Sequence, residues 1–280
     1  MVHRSSIGAV ALVAALCATI AAARAWDDAS YPDVNGQWVR AHPRSQWDPS
    51  KPRGLKQQAP LTAEYQAIFE ANLAALHSGS LEVDPQVRCL PSGMPRMMIA
   101  YEPIEVIVTA KITYVRADHL GDFRRIYTDG RNWPAELMPS FWGYSIGKWV
   151  DADGDGRLDA LEVETRGFRG PRLFDADGLP LHKNNRTIVK ERIYIDRANG
   201  DLLHDEITTI DDALTRPWTV TRSYKRERNP VWADYLCTEE NHHVRVGNEF
   251  YFQSADGHLM PTRKDQPPPD LRYFTQTGKQ

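Results

Sequence analysis

From residue 97 onward the chain is written in short runs in which apolar and polar positions alternate. Runs at 97–101, 105–109, 112–116, 123–127, 144–150, 161–165, 187–195, 203–210 and 218–226 predict strands, because successive side chains of a strand face opposite sides. Turn-forming pairs such as Asp129-Gly130, Asp177-Gly178 and Asn199-Gly200 separate them. Strand after strand with short links predicts an antiparallel meander, and closing it into a barrel would remove its open edges. Residues 61–77 follow a different period. Tyr65, Ile68, Phe69, Leu73 and Leu76 fall on one helical face behind Thr62, an N-cap residue, and Ser78-Gly79-Ser80 ends the run. This predicts one helix packed on the sheet.

Two stretches lack clear periodicity. Residues 26–60 are rich in Pro, Asp and Trp, and the tail beyond Pro230 offers a short helix near 232–236 and an extended Pro267-Pro268-Pro269 end. The expected fold is therefore all-β: a single antiparallel β-barrel domain over 26–280, with one packed N-terminal helix and irregular extensions at both ends. Gly36-Gln37-Trp38, at the start of a possible first strand, resembles the Gly-x-Trp opening of lipocalins. That resemblance implies a lipocalin-like barrel with Trp38 in its core or at its closed end.

Residues 1–25 predict a cleaved signal peptide. Arg4 precedes an apolar run from Ile7 to Ile20, and Ala23-Arg24-Ala25 is a small-x-small cleavage site. The run is short for a membrane span, and no later segment is long and apolar enough to cross a bilayer. The expected location is periplasmic or secreted. The net charge of −3 becomes more negative once Arg4 and Arg24 leave with the leader. This argues against nucleic acid or an anionic membrane as a partner. Of three cysteines, Cys17 leaves with the leader. Cys89 and Cys237 remain, and an isolated pair in an oxidising compartment predicts a disulfide.

The sharpest chemical signal lies at 151–162. Asp151, Asp153, Asp155, Asp159 and Glu162 stand at loop positions 1, 3, 5, 9 and 12, with Gly156 at position 6. Calcium is a hard cation that takes six to eight oxygens, and this spacing aims alternate carboxylates at one point. Strand-like flanks replace the helices of an EF-hand. The stretch resembles the strand–loop–strand calcium turns of FG-GAP repeats. The resemblance implies Asp151, Asp153, Asp155, Asp159 and the Arg157 carbonyl as ligands, with Glu162 added only on an EF-hand reading. A single Ca²⁺ turn of this kind is expected to be structural.

Alternate residues of a small barrel point inward, so a charge on an otherwise apolar strand face is informative. Glu191 shares its face with Val189, Ile193 and Ile195; Arg222 shares its face with Trp218, Val220 and Tyr224. These predict a buried Glu191–Arg222 pair, either structural or a polar anchor for a ligand, with Trp218 and Tyr224 beside Arg222; Arg125, on another strand end, is a further ligand-binding candidate. A second group, Tyr127, Asp129, His204 and Glu206, supplies imidazole, phenol and carboxylate for acid–base work near a barrel mouth, with His182 in a nearby loop. Glu239-Glu240-Asn241-His242-His243 is a poor zinc site, because adjacent strand histidines point to opposite sides. The chain has no Gly-x-Ser-x-Gly elbow, phosphate-binding loop or dinucleotide fingerprint.

The segments 89–96, 125–131, 143–149, 161–165 and 237–241 resemble a family of exported bacterial β-rich proteins with no assigned activity. In that family 149–162 is often a plain hairpin turn, so the resemblance implies that the acidic loop is an insertion. The expected function is binding a small apolar or aromatic molecule inside the barrel. The alternatives are a barrel lyase, isomerase or hydrolase, and a calcium-stabilised structural protein.

Overall fold

A computed structural model describes residues 30–270, apart from 81, 233–236, 238–241, 248 and 255. The expected leader, most of the short helix near 232–236 and residues 239–241 lie outside the described residues.

Nine strands close into one barrel in sequence order: β1 (Gly36–Arg40), β2 (Ile104–Val108), β3 (Ile112–Ala117), β4 (Phe123–Tyr127), β5 (Tyr144–Val150), β6 (Ala160–Arg166), β7 (Ile188–Ile195), β8 (Leu202–Ile210) and β9 (Trp218–Glu227). Pairing of β1 with β9 completes the cylinder. The meander is antiparallel except at one seam. There β4 and β5 run parallel over two pairs, Ile126 with Ser145 and Tyr127 with Ile146. The link 128–143 must therefore return the chain to the end at which β4 began. Asp129-Gly130 reads as a hairpin turn, but it only opens this long link, which Pro134 and Pro139 keep out of any strand.

Alternation works as anticipated on the long strands. In β2 the buried residues are Ile104, Val106 and Val108, in β3 Thr113, Val115 and Ala117, and in β7 Val189, Glu191 and Ile193. Gly147 of β5 shows what the tight wall demands. A Cβ there would come within 2.6 Å of Ile126 across the parallel seam.

The helix α1 (Ala63–His77) is where the periodicity puts it, and the Thr62 hydroxyl accepts from the Tyr65 amide at 3.4 Å. Its buried face is Tyr65 and Phe69, with Asn72 donating to the Gly178 carbonyl at 2.8 Å. Ile68 turns outward, so the apolar face is narrower than anticipated. The strand expected at 97–101 is instead one 3₁₀ turn, Arg96–Ile99, ended by Ala100 in the left-handed region. Its residues Met97, Met98 and Ile99 are all buried, which is why their apolar run imitates a strand.

That turn belongs to a plug applied to the inner face. Trp47 packs at a tilt on Phe174, and Phe174 packs edge-on against Trp218 of β9 with centroids 5.4 Å apart. Asp175 ties the plug together by accepting from the Trp47 amide at 2.9 Å and the Gln57 side chain at 2.8 Å. At the start of β1, Trp38 is fully buried, its indole N–H donates to Val34, and Arg226 lies over its ring at 4.3 Å. The tail adds a separate sheet, β10 (His243–Val246), β11 (Glu249–Gln253) and β12 (Leu259–Pro261). These strands are too short for alternation to reveal. Cys89 and Cys237 lie at disulfide distance, with Cα atoms 5.6 Å apart across a separation of 148 residues. Among the described residues no helix is long and apolar enough to cross a membrane.

Candidate functional site inside the barrel

The inner face carries charged and phenolic side chains among its apolar and hydroxyl ones: Arg124 on β4, Glu191 on β7, Asp205 on β8, and Arg222 and Tyr224 on β9, with Arg40 and Arg226 opposite Tyr224 and Trp38. Arg124, Glu191, Asp205, Arg222 and Tyr224 are nearly or fully buried.

Glu191 does not meet Arg222. It is paired with Arg124, whose guanidinium makes two hydrogen bonds to the carboxylate, one of them 2.8 Å. Arg124 also donates to Ser145 at 3.0 Å and Thr165 at 2.7 Å, so the pair is held by hydroxyls from β5 and β6. The expected partner lies elsewhere because β8 separates Arg222 from Glu191. The Arg222 guanidinium is taken by backbone carbonyls of the plug: Gln46 at 2.8 Å, Trp47 at 2.7 Å and Ile99 at 3.2 Å. Tyr224 donates to the Met98 carbonyl. Burial pushes the Tyr224 hydroxyl well above the ordinary phenol range, and the nearby Asp205 adds to this.

Asp205 differs from all of these. It stands opposite Ile193 on β7 and Arg222 on β9 and is completely buried. Neither carboxyl oxygen has a hydrogen-bond partner. Burial pushes its pKa well above the usual carboxylate range, and the Glu191 carboxylate adds to the rise. Burial of this kind favours the uncharged acid over the carboxylate. Sequence reasoning passed over Asp205 in favour of its neighbours His204 and Glu206. The signal was present, since Leu203, Asp205, Ile207 and Thr209 share one face.

The residues chosen for acid–base chemistry lie on the outer wall and in two separate places. Tyr127 stacks on Tyr144 and under Arg131, whose guanidinium is bound to Asp129. That contact holds the exposed Asp129 carboxyl down at about 2. Four strand positions away, roughly 19 Å along the sheet, Glu206 accepts from Tyr194 at 2.9 Å. There His204 contacts Ser223 at 2.8 Å and Asp196 at 3.4 Å. A cavity of about 490 Å³ adjoins Tyr194 and Asp196, and a groove of about 450 Å³ runs past Glu206 between Lys148, Glu162, Lys190 and Arg192. Arg125 is also outside, over the Phe123 ring. His182 packs on Tyr65 of α1 rather than joining either group. Trp218 and Tyr224 do line the inner face, as the alternation requires.

The acidic loop joins β5 to β6, a strand–loop–strand hairpin. Asp151, Asp153 and Asp159 can each present an oxygen within 4.8 Å of the others. Asp151 orders the turn by accepting from the amides of Gly154, Asp155 and Gly156. These contacts hold its carboxyl below the ordinary range. Asp155 is engaged with the Arg157 amide. Asp151, Asp153 and Asp159 thus form an acidic cluster on one turn that could hold a metal ion. Glu162 does not belong to the group. It lies on β6 opposite Lys148 and Arg192, facing the outer groove.

No protein-family model matches the sequence, and no curated protein matches it significantly.

Proposed function

We propose that this is an exported, lipocalin-like barrel protein that binds a small, mostly apolar or aromatic molecule against its inner face. The observation that carries the reading is the Arg124–Glu191 pair, fully buried in the wall and braced by Ser145 and Thr165. A buried ion pair is costly to desolvate, and apolar residues of similar volume are often as stable. A barrel built only for stability has no need of it, whereas a ligand site uses a few fixed polar groups among apolar ones. The Gly-x-Trp start at Trp38, in a closed and nearly antiparallel barrel, supports the lipocalin-like assignment. The resemblance to exported bacterial β-rich proteins and the leader at 1–25 support export.

Calcium belongs to the same proposal as a structural ion. Asp151, Asp153 and Asp159 would hold it, and its charge would clamp the β5–β6 turn. Native mass spectrometry of the chain secreted to the periplasm, before and after EDTA, tests both parts. The expected spectrum carries one calcium, lost with EDTA, and a non-peptide adduct that stays. A bare polypeptide mass under both conditions would refute the reading.

A second reading is acid–base catalysis on the outer wall. It rests on the His204 contacts to Ser223 and Asp196 beside a cavity. It requires that Ser223→Ala and His204→Ala abolish hydrolysis of a model ester such as p-nitrophenyl acetate, while Glu191→Gln does not.

A further inference from the structure

We infer that the Asp205 carboxyl group is the attachment point for an uncharged hydroxyl or carbonyl oxygen of the bound molecule. This rests on the reading of the barrel interior as a ligand site, and it deepens that reading by naming the ligand's chemical class.

The argument begins with what Asp205 lacks. Both of its oxygens are buried without a partner, while one N–H of Arg40, on the same face opposite Tyr224, is also unpartnered. Arg124 is engaged by Glu191, Ser145 and Thr165, Arg222 by three plug carbonyls, and Tyr224 by Met98. Among the described residues no side chain donates to the carboxyl group. Buried polar groups in native proteins are almost always paired, so an orphan of this kind calls for a water or a ligand.

The surroundings select the partner. A cationic ligand group would enter beside the Arg124 and Arg222 guanidinium groups. An anionic one would enter beside the Glu191 carboxylate. A neutral oxygen meets neither penalty. It can accept the O–H of an uncharged Asp205, and a hydroxyl can also donate back to the carbonyl oxygen. Along β8 the face continues through Ile207 to Thr209, whose hydroxyl is likewise buried and unpartnered. Four residues of strand place Thr209 about 13 Å from Asp205. The ligand is thus an alcohol, phenol or ketone whose apolar body runs over Ile207 and Val220.

The test uses the full exported chain and three matched probes, naphthalene, 2-naphthol and 2-naphthoate, titrated calorimetrically into wild type and Asp205→Leu. For the wild type, 2-naphthol should bind about tenfold tighter than naphthalene, the ratio expected for one good hydrogen bond, and 2-naphthoate should bind weakest. In Asp205→Leu the advantage of 2-naphthol over naphthalene should vanish while naphthalene still binds. If 2-naphthol binds both proteins equally, Asp205 holds only water and the inference fails, although the interior site stands. If none of the probes binds wild type, the interior-site reading fails and takes the inference with it. The infrared carbonyl band of a protonated acid gives a second readout on wild type alone. It should shift on addition of 2-naphthol and not of naphthalene; a band insensitive to both overturns the inference even if the variant does not fold.

Discussion

Asp205 stands directly opposite Arg222 across the β8–β9 ladder, yet no hydrogen bond joins them. The arginine reaches instead for the carbonyls of Gln46, Trp47 and Ile99, leaving the acid buried and unpaired. The plug therefore takes the partner that the strand register offers to Asp205. An unsatisfied buried polar group costs stability, about 1–3 kcal/mol. Replacing it with an apolar residue of similar size should recover part of that. In denaturant titrations without ligand, Asp205→Leu is expected to be more stable than wild type by a part of this amount. A clear loss of stability would mean that the carboxyl group is satisfied in the folded protein.

The same acid sets a pH dependence. Its folded pKa is raised, so above the unfolded value of about 3.9 the unfolded chain releases a proton that the folded chain keeps. Stability contributed by this group is present at low pH and is lost as pH rises toward its folded pKa. Asp122 and Asp175 are raised by burial as well and act in the same direction. Asp205→Asn should flatten the fall in stability as pH rises above about 4 while leaving the part due to the other two. An unchanged pH profile would place Asp205 in its ordinary ionised state.

The Arg124–Glu191 pair makes a contrasting prediction. Removing one member strands the other in the wall, which typically costs about 3–5 kcal/mol. Glu191→Ala should show a loss of that size in chemical denaturation. The double variant Arg124→Leu, Glu191→Leu should regain most of it, since neither charge of the pair is left unpartnered. If the double variant is as unstable as the single one, the pair contributes more than mutual neutralisation.

For the acidic turn, calcium should raise the melting temperature of wild type and leave Asp153→Ala nearly unaffected. Asp153 offers an oxygen to the Asp151–Asp159 group but is also exposed and bound to Arg197. Exposed ion pairs of that sort contribute little, so the variant should report on the ion. Equal melting temperatures with and without calcium would reduce the loop to an ordinary acidic turn.

Much of the barrel was legible because period-two alternation survives wherever one strand face is buried, as in Val189, Glu191 and Ile193. The 3₁₀ turn Arg96–Ile99 was misread because an apolar run buried on all sides looks the same in either conformation. The parallel seam at Ile126–Ser145 was illegible, since pairing direction depends on where the link 128–143 travels rather than on any residue in the strands. Glu191 and Arg222 were correctly assigned to the inner face, but alternation says nothing about which strand supplies a partner. Asp205 was readable by the same rule and was overshadowed by His204, whose imidazole is the more familiar acid–base group.

The most direct measurement is a high-resolution crystallographic map of the exported protein, purified without denaturation, around the Asp205 carboxyl group. The account predicts non-protein density larger than a water molecule within hydrogen-bonding distance of Asp205 and extending over Ile207. Side chains packed around Asp205, with at most a single water completing its hydrogen bonds, would contradict it.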